Sequence, residues 1–257
     1  MRDKQLNILA FGQTDVGMRR DHNEDNYLLD DEQRLYVVAD GMGGHLGGEM
    51  ASMLAVSTIR DTVRDERKKL NGGYQGPIEQ HPALMVLPTA VKRACAAIFH
   101  KAQEVPELQG MGTTVTGLAF EDGYAFFGHV GDSRAYLIRD GHIEQLSEDH
   151  SLVNEQLKAG LITPDQARMS RFKHIITRSV GFEEDVAVDT MVVPVQEGDV
   201  YILCSDGLAN LVSTLEIRDC VFDNFLRDAP RSLIALANER GGDDNITVVV
   251  AYVNAPA

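Results

Sequence analysis

Basic residues and cysteines are both scarce in this chain, and each scarcity argues against a class of function. The 257 residues contain 24 Lys and Arg against 39 Asp and Glu, so the formal net charge is −15. Such a surface repels nucleic acid and anionic membranes, and we expect neither as a partner. The cysteines Cys95, Cys204 and Cys220 lie far apart without a Cys-x-x-Cys pair. This spacing indicates neither a disulfide framework nor a cysteine zinc site, and it favours a reducing, cytoplasmic location.

Long apolar runs and paired histidines are also missing from the sequence pattern. We find no apolar run close to the roughly 18 to 20 residues that span a bilayer, and the N-terminal apolar segment is too short for a signal peptide. The eight histidines show neither H-E-x-x-H nor H-x-H spacing. The acidic residues are therefore the obvious metal ligands, and carboxylates prefer hard cations.

Short β-type runs joined by tight turns dominate the chain. Glu121-Asp122-Gly123 and Arg139-Asp140-Gly141-His142 are the clearest turns, because Asp-Gly readily supplies the positive φ of a hairpin connection. The sheets are therefore predicted to be largely antiparallel. The predicted strands are Leu6–Phe11, Tyr27–Leu29, Leu35–Ala39, Thr113–Phe120, Tyr124–Val130, Ala135–Ile138, Val186–Val195, Val200–Cys204 and Ile246–Val253.

Helical segments interrupt and flank these strands. The polar segment 64–82 is predicted to be a mobile surface connection between two helices. Residues 147–185 depart from the strand rhythm and predict a lid or flap. No internal repeat or linker is present, which favours a single domain over residues 1–257. The predicted helices are Gly48–Val63, Pro88–Val105, Leu152–Ala159, Thr163–Arg168, Thr214–Leu226 and Ser232–Arg240.

Carboxylates stand at the ends of four predicted strands, beside glycine or turn residues. These are Asp40, Asp132, Asp206 and Asp244. Each one alone is most simply a solvated turn residue, since Asp is common in turns. Together they match the way in which several side chains converge on one cation. The pattern as a whole therefore favours a metal site.

A second acidic pair, Glu24-Asp25, follows Arg20 closely. An arginine near metal-binding carboxylates suits a phosphate ester, because the metal and the guanidinium neutralise different oxygens of one group. An ordinary surface ion pair is the simpler alternative for Arg20 taken alone.

Three other chemistries fit the residues less well. The glycine-rich segment 37–52 has the wrong spacing for a dinucleotide loop, and the carbonyl of Gly41 is more plausible there as a metal ligand. Cys220 and Arg227 are one position too far apart for a tyrosine-phosphatase loop. Ser133 follows Gly-Asp as in a family of lipases, but no convincing histidine-containing partner segment accompanies it.

Taken in order, these motifs resemble the metal-dependent serine/threonine protein phosphatases of type 2C (the PPM family) in their bacterial form. Each motif alone is weak, but their joint order from about Thr14 to Val253 is highly specific. The matching segments are Asp15-x-Gly17-x-x-Arg20-x-x-Asn23-Glu24-Asp25, Val38-Ala39-Asp40-Gly41-Met42-Gly43-Gly44-His45, Gly112-Thr113-Thr114, Gly131-Asp132-Ser133-Arg134, Asp149-His150-Ser151, Ser205-Asp206-Gly207-Leu208 and Asp244-Asn245.

The resemblance implies an α+β fold, an αββα sandwich of two antiparallel sheets with a helical layer outside each and a binuclear metal site between them. It implies that Asp40, Asp206 and Asp244 hold the first metal. It implies that Asp40, the Gly41 carbonyl and Glu24 hold the second, partly through water. Asp25 and Asn245 would orient these ligands. Asp132 and Asp206 together resemble the third metal site of bacterial members, and residues 147–185 correspond to the variable flap.

The implied reaction is hydrolysis of phosphoserine or phosphothreonine by a metal-bridging water, with Mn²⁺ or Mg²⁺ as the metal and no phosphoenzyme. Arg20 would grip the phosphoryl oxygens. His45 is the candidate proton donor, although well-known animal members place a histidine where Met42 stands here, and His45 is alternatively structural. The resemblance also implies phosphoprotein substrates, including a Ser/Thr protein kinase. Two rivals stay open, a catalytically weak pseudophosphatase that binds a partner and a phosphatase of small esters.

Overall fold

The computed structural model describes residues 7–44, 46–70 and 74–254. Its strands are β1 (Asn7–Asp15), β2 (Asp25–Asp30), β3 (Leu35–Met42), β4 (Gly112–Thr113), β5 (Val115–Glu121), β6 (Tyr124–Val130), β7 (Arg134–Arg139), β8 (His142–Gln145), β9 (Asp189–Pro194), β10 (Val200–Cys204) and β11 (Ile246–Asn254). Its α-helices are α1 (Leu46–Arg67), α2 (Val86–Glu104), α3 (Leu152–Lys158), α4 (Pro164–Arg168), α5 (Asp206–Ala209), α6 (Thr214–Asp223) and α7 (Ala229–Glu239).

The strands form two sheets in which neighbouring strands pair antiparallel. One sheet has the order β1-β11-β10-β7-β8, and the other has the order β2-β3-β5-β6-β9 with β4 paired to β3. The antiparallel expectation is therefore confirmed. Chain-distant strands lie side by side in the first sheet, so its order depends on contacts far apart in sequence.

Strand β3 shows how one run of residues serves two cores. Its side chains alternate between the two faces of the sheet, as the period of a strand requires. Leu35, Val37 and Ala39 pack with helices α1 and α2, whereas Tyr36 and Val38 pack between the two sheets. Both faces are covered, which is why the run is apolar without a break.

The first sheet, which contains β10 and β11, is covered in the same way on its outer face. Ile202 and Val248 pack against helices α6 and α7, while Leu203 and Val249 face the core between the sheets. Helix, sheet, sheet and helix thus follow one another as four layers, which confirms the αββα expectation.

Two hairpin turns confirm the reading of the Asp-Gly pairs. Asp122 has φ 46° and Gly123 has φ 81° between β5 and β6. Asp140 has φ 51° and Gly141 has φ 77° between β7 and β8. A two-residue loop with positive φ at both positions matches the twist of the flanking strands. The second turn leads into β8, a short, largely exposed strand that the apolar pattern missed.

Two expectations about the segment around residues 64–104 were wrong in part. The connection 64–82 contains a buried residue, His81, whose Nε2 lies 3.2 Å from Asp122 Oδ2. The stretch Pro82–Glu104 is also long and apolar enough, by length and composition, to span a bilayer, contrary to the sequence reading. In this fold α2 packs against α1 and its apolar face is part of the core, as is usual for a core helix.

The segment 147–185 contains α3, α4 and an isolated bridge between Ser151 and Ile176. Ser151 caps α3 by accepting a hydrogen bond from Asn154 N, and Thr163 forms a capping box with Gln166 at α4. Its role as a flap stays a prediction.

Candidate functional site

A cleft of about 680 Å³ opens where the carboxyl-bearing ends of several strands meet. The connections β1–β2, β3–α1, β6–β7, β10–α5 and α7–β11 all contribute to its wall. Nearly all the residues predicted from sequence line it, which is the convergence that the strand-end pattern predicted. The predicted residues on the wall are Arg20, Glu24, Asp40, Gly41, Asp132, Asp206, Asp244 and Asn245.

Two predicted residues are not on this wall. Asp25 is buried, and its role in orienting the metal ligands stays a prediction. His45 lies outside the described residues, so its predicted role as a proton donor stays a prediction.

Strand β3 delivers Asp40 and Gly41 to the cleft. The backbone of Asp40 is held by Thr114, whose Oγ1 accepts from Asp40 N (3.0 Å) and whose N–H donates to the Asp40 carbonyl (2.8 Å). Gly41 packs directly on the start of α1, because a Cβ atom there would collide with the carbonyl of Gly48. Glycine is therefore required for close approach of the two backbones.

Gly48 is a functional position that the sequence reading missed. A Cβ atom at Gly48 would overlap the Glu24 carboxylate, so the first turn of α1 leaves the room in which this side chain lies. The glycine-rich run at the start of α1 was visible in the sequence. Its contact with Glu24 was not, because Glu24 belongs to a different part of the chain.

Asn245 fixes the β1–β2 connection that carries Arg20 and Glu24. Its Oδ1 accepts from Glu24 N at 2.8 Å, and its Nδ2 donates to the carbonyls of Val16 and His22, each at 2.9 Å. A buried amide with donor and acceptor both satisfied holds its partners in one arrangement. These contacts fix the backbone beside Glu24, and the role of Asn245 in orienting metal ligands stays a prediction.

Asp25 is anchored by two hydroxyl groups from the other sheet. Its Oδ2 accepts from Ser205 Oγ (2.8 Å) and Thr247 Oγ1 (2.7 Å), two partners that sequence reasoning missed. Burial raises the pKa of Asp25 to about 7, and the nearby charges of Asp206 and Asp244 act in the same direction. Its Oδ1 is buried without a hydrogen-bond partner among the described groups.

Three other carboxyl groups of the cleft, those of Asp40, Asp132 and Asp244, also have raised pKa values. Burial, followed by the charges of Asp25 and Asp206, raises the pKa of Asp40 well above its usual range. Burial and Asp206 raise the pKa of Asp132 to about 7, and they raise that of Asp244. Because these carboxylates repel one another, the cleft favours binding of a cation, which neutralises their shared charge.

Positive groups at the cleft are few and peripheral. Arg20 Nη2 lies 2.7 Å from Asp244 Oδ2, so this guanidinium pairs with a predicted metal ligand. His174, from the predicted flap, has Nδ1 3.9 Å from Asp206 Oδ2, and that carboxylate raises its pKa. Sequence reasoning gave His174 no role in the site.

The donor set fits a hard divalent cation. Asp132 Oδ1 is buried and lacks a hydrogen-bond partner among the described groups, although it belongs to a cleft lined with carboxylates. All the candidate donors are oxygens, which suits Mg²⁺ or Mn²⁺ better than Zn²⁺. Across residues 7–44, 46–70 and 74–254, no three His, Cys, Asp or Glu side chains already form a closed metal-binding group. The described oxygens thus share one cleft without forming a complete cage.

Ser133 and the cysteines do not form a covalent-catalysis site. Ser133 is fully buried and its Oγ lies 2.8 Å from Thr114 Oγ1, which gives it a structural role beside Asp40. Cys95 and Cys204 are buried, Cys220 is half-buried, and all three are free thiols. Burial raises the pKa of each cysteine, which opposes formation of a nucleophilic thiolate.

Comparison with known proteins agrees with this site. A family model described as protein phosphatase 2C matches residues 18–240. Protein phosphatase PhpP of Streptococcus pneumoniae is 38% identical over 253 residues, covering 94% of this chain and 96% of the relative.

Solved structures match over nearly the whole chain as well. The serine/threonine phosphatase PstP/Ppp of Mycobacterium tuberculosis superposes with a TM-score of 0.86 at 34% identity, covering 96% of this chain and 99% of that one. The PstP catalytic domain in complex with two manganese ions has a TM-score of 0.84 at 34% identity, covering 97% and 100%. None of these relatives supports the pseudophosphatase alternative. The chain therefore belongs to the protein phosphatase 2C family and is a metal-dependent serine/threonine protein phosphatase.

Proposed function

We propose that the protein hydrolyses phosphoserine and phosphothreonine in other proteins by direct attack of water on phosphorus, in the cleft lined by Asp40, Asp206 and Asp244. The convergence of these carboxylates with Arg20 in one cleft is the observation that carries the proposal. Two divalent cations, when bound, would lower the pKa of a shared water and neutralise the attacking and leaving oxygens.

Each carboxylate has a proposed place in this site. Asp40, Asp206 and Asp244 would hold the first cation. Asp40, the Gly41 carbonyl and Glu24 would hold the second, partly through water. The buried, unpartnered Oδ1 of Asp132 supports a third position shared with Asp206. Mn²⁺ and Mg²⁺ are the proposed metals because every donor is oxygen.

Arg20 is proposed to bind the phosphoryl group. Its guanidinium stands at the cleft wall with its side chain about half exposed, 51%, so it can meet a substrate from solvent. Its ion pair with Asp244 orients it towards the proposed metal ligands. A planar guanidinium can donate two parallel hydrogen bonds to a phosphoryl group.

The serine or threonine alkoxide that leaves needs a proton, and His45 is the proposed donor. The protein substrates are proposed to include a Ser/Thr protein kinase. We further propose that residues 1–257 act as one catalytic domain, that residues 147–185 act as its flap, and that the enzyme works in the cytoplasm. The three free thiols support this last point, because reduced cysteines are usual there.

The deciding experiment measures phosphate release from a phosphothreonine peptide with Mn²⁺, with Mg²⁺ and with EDTA. Asp206→Asn should abolish metal-dependent release, because one carboxylate serves two proposed metal positions. Asp243→Asn is the matched control, since Asp243 also lines the cleft but is exposed and outside the proposed ligand set.

Isothermal titration of Mn²⁺ provides a second readout, and Asp206→Asn should bind Mn²⁺ more weakly with its circular dichroism unchanged. Full Mn²⁺-dependent turnover by a folded Asp206→Asn protein would contradict the ligand assignment. Release from p-nitrophenyl phosphate but from none of several phosphopeptides would instead favour small esters as substrates.

A further inference from the structure

A second groove opens beside the metal cleft and shares part of its wall. This groove, of about 610 Å³, shares five lining residues with the metal cleft. Asp132 and Asp206 stand at the junction with Lys173, Asn210 and Leu211. A molecule that occupies the metal cleft therefore lies directly beside the groove.

Apolar residues from two separate segments of the chain contribute to the lining of this groove, beside its polar residues. Val153 and Leu157 of α3 and Ala167 of α4 contribute from the predicted flap, and Leu211 and Val212 contribute from the segment before α6. We call the space between these five residues the flap groove. Apolar lining from both segments favours an apolar side chain as occupant.

The charged groups that line the flap groove away from the junction are already paired. Arg134 donates from Nε to Asp149 Oδ1 at 2.9 Å and from Nη2 to Asp149 Oδ2 at 2.6 Å. Glu216 Oε2 lies 2.9 Å from Arg240 Nη1. These groups leave little unbalanced charge with which to attract a charged residue.

The junction differs from the rest of the groove. Lys173 lines both spaces, and its ammonium group forms no ion pair with another described residue. An ammonium group at the junction would attract the doubly negative phosphate of a substrate and partly offset its repulsion by the cleft carboxylates. Charge therefore favours binding of the phosphorylated residue at the junction, and it contributes little to binding of the residues beside it.

Hydrogen bonds hold the walls of the flap groove in place. Leu152 N donates to the Ile175 carbonyl at 2.9 Å beside the Ser151–Ile176 bridge. Asn154 Nδ2 donates to the Asp149 carbonyl at 2.8 Å, next to the Arg134 pair. A preformed groove costs little ordering when a chain binds.

We propose that the flap groove binds the polypeptide flanking the phosphorylated residue and selects an apolar side chain on one side of it. This inference rests on the proposed function, because only a protein substrate has a chain that must leave the metal cleft. The expected preference for leucine over glutamate at the matching peptide position is roughly tenfold in kcat/KM, as for a partly buried apolar side chain.

The test measures kcat/KM for phosphothreonine peptides that carry Leu, Ala or Glu at each of several positions on either side. The wild type should prefer Leu at a position on one side only. Leu157→Lys should reverse that preference towards Glu, because a cation would then face the same position. Leu161→Lys is the matched control, since Leu161 is an exposed leucine of the same segment that does not line the groove.

Hydrolysis of p-nitrophenyl phosphate, which has no flanking chain, separates this inference from the proposed function. All these proteins should turn it over equally, which also confirms that Leu157→Lys is folded. Should Leu157→Lys fail to fold, Ala167→Trp fills the groove and should lower kcat/KM for the peptides alone. An equal response to every flanking residue in the wild type, or a Leu preference that survives Leu157→Lys, would overturn the groove assignment. Absence of all hydrolysis by the wild type would instead defeat the proposed function.

Discussion

Protonation of His129 should destabilise the protein in mild acid. His129 is buried between the sheets' edge and residues 148–150, with Nδ1 3.0 Å from Thr116 Oγ1 and Nε2 3.0 Å from the Glu148 carbonyl. Burial, and then the neighbouring ring of His150, lowers its pKa from 6.5 to about 4. The Glu148 carbonyl, Asp149 and Asp189 oppose this shift only in part.

The sign and size of the effect follow from linkage. The unfolded chain takes up a proton near pH 6.5, whereas the folded ring stays neutral until about pH 4. The contribution of neutral His129 to the free energy of unfolding is therefore present above pH 6.5 and is lost as the pH falls towards 4. With these two values the loss in the free energy of unfolding is about 2 kcal/mol between pH 7 and pH 5 and about 3 kcal/mol by pH 4.

Urea unfolding of the wild type and of His129→Gln at pH 7 and pH 5 measures this contribution. The raised pKa values of Asp25 and Asp132 act in the opposite direction, so the informative quantity is the difference between the two proteins. His129→Gln should be less stable at pH 7 through lost packing, and the gap should shrink by about 2 kcal/mol at pH 5. His142→Gln, at an exposed histidine of β8, controls for loss of one imidazole.

A gap between wild type and His129→Gln that stays constant within about 0.5 kcal/mol would refute this reasoning. Such a result would mean that the buried ring accepts a proton without cost, through Thr116 and the acidic groups around it.

Two further predictions concern the cleft. Gly48→Ala should weaken Mn²⁺ binding in titration calorimetry because the new methyl group displaces the Glu24 carboxylate, whereas Gly47→Ala should bind normally, and equal affinity would exclude this role for Gly48. His45→Ala should lower kcat for a phosphothreonine peptide by roughly a hundredfold or more but act weakly on p-nitrophenyl phosphate, whose leaving group needs no proton. An equal loss on both substrates, or the same selective loss in His174→Ala, would contradict proton donation by His45.

Local elements were largely predictable from the sequence because their signals are local. Strands β6 and β10 begin and end at the predicted residues, and the two Asp-Gly turns have the expected positive φ. The predicted run Thr113–Phe120 is interrupted at Thr114, where the backbone instead hydrogen-bonds with Asp40. Strand β8 and the short helix α5 were missed, since β8 is largely exposed and α5 is a single turn after a strand.

The acidic residues of the cleft were also recognisable in the sequence, because Asp at the end of an apolar run beside glycine is a local pattern. The four-layer sandwich was not derivable from that pattern, and only the ordered resemblance to the family implied it. Periodicity says which face of a strand is apolar but not which other element covers it.

The sequence by itself indicated the kind of chemistry: an acidic chain, oxygen donors at strand ends, an arginine near them and no tyrosine-phosphatase loop. The tertiary structure decided which groups meet. Asn245 reaches the Glu24 backbone across 221 positions of sequence, and Thr247 reaches Asp25 across 222. The flap groove likewise joins α3 and α4 to the segment before α6. Such contacts depend on the packing of distant strands and helices, and packing is a property of the whole chain that no local pattern contains.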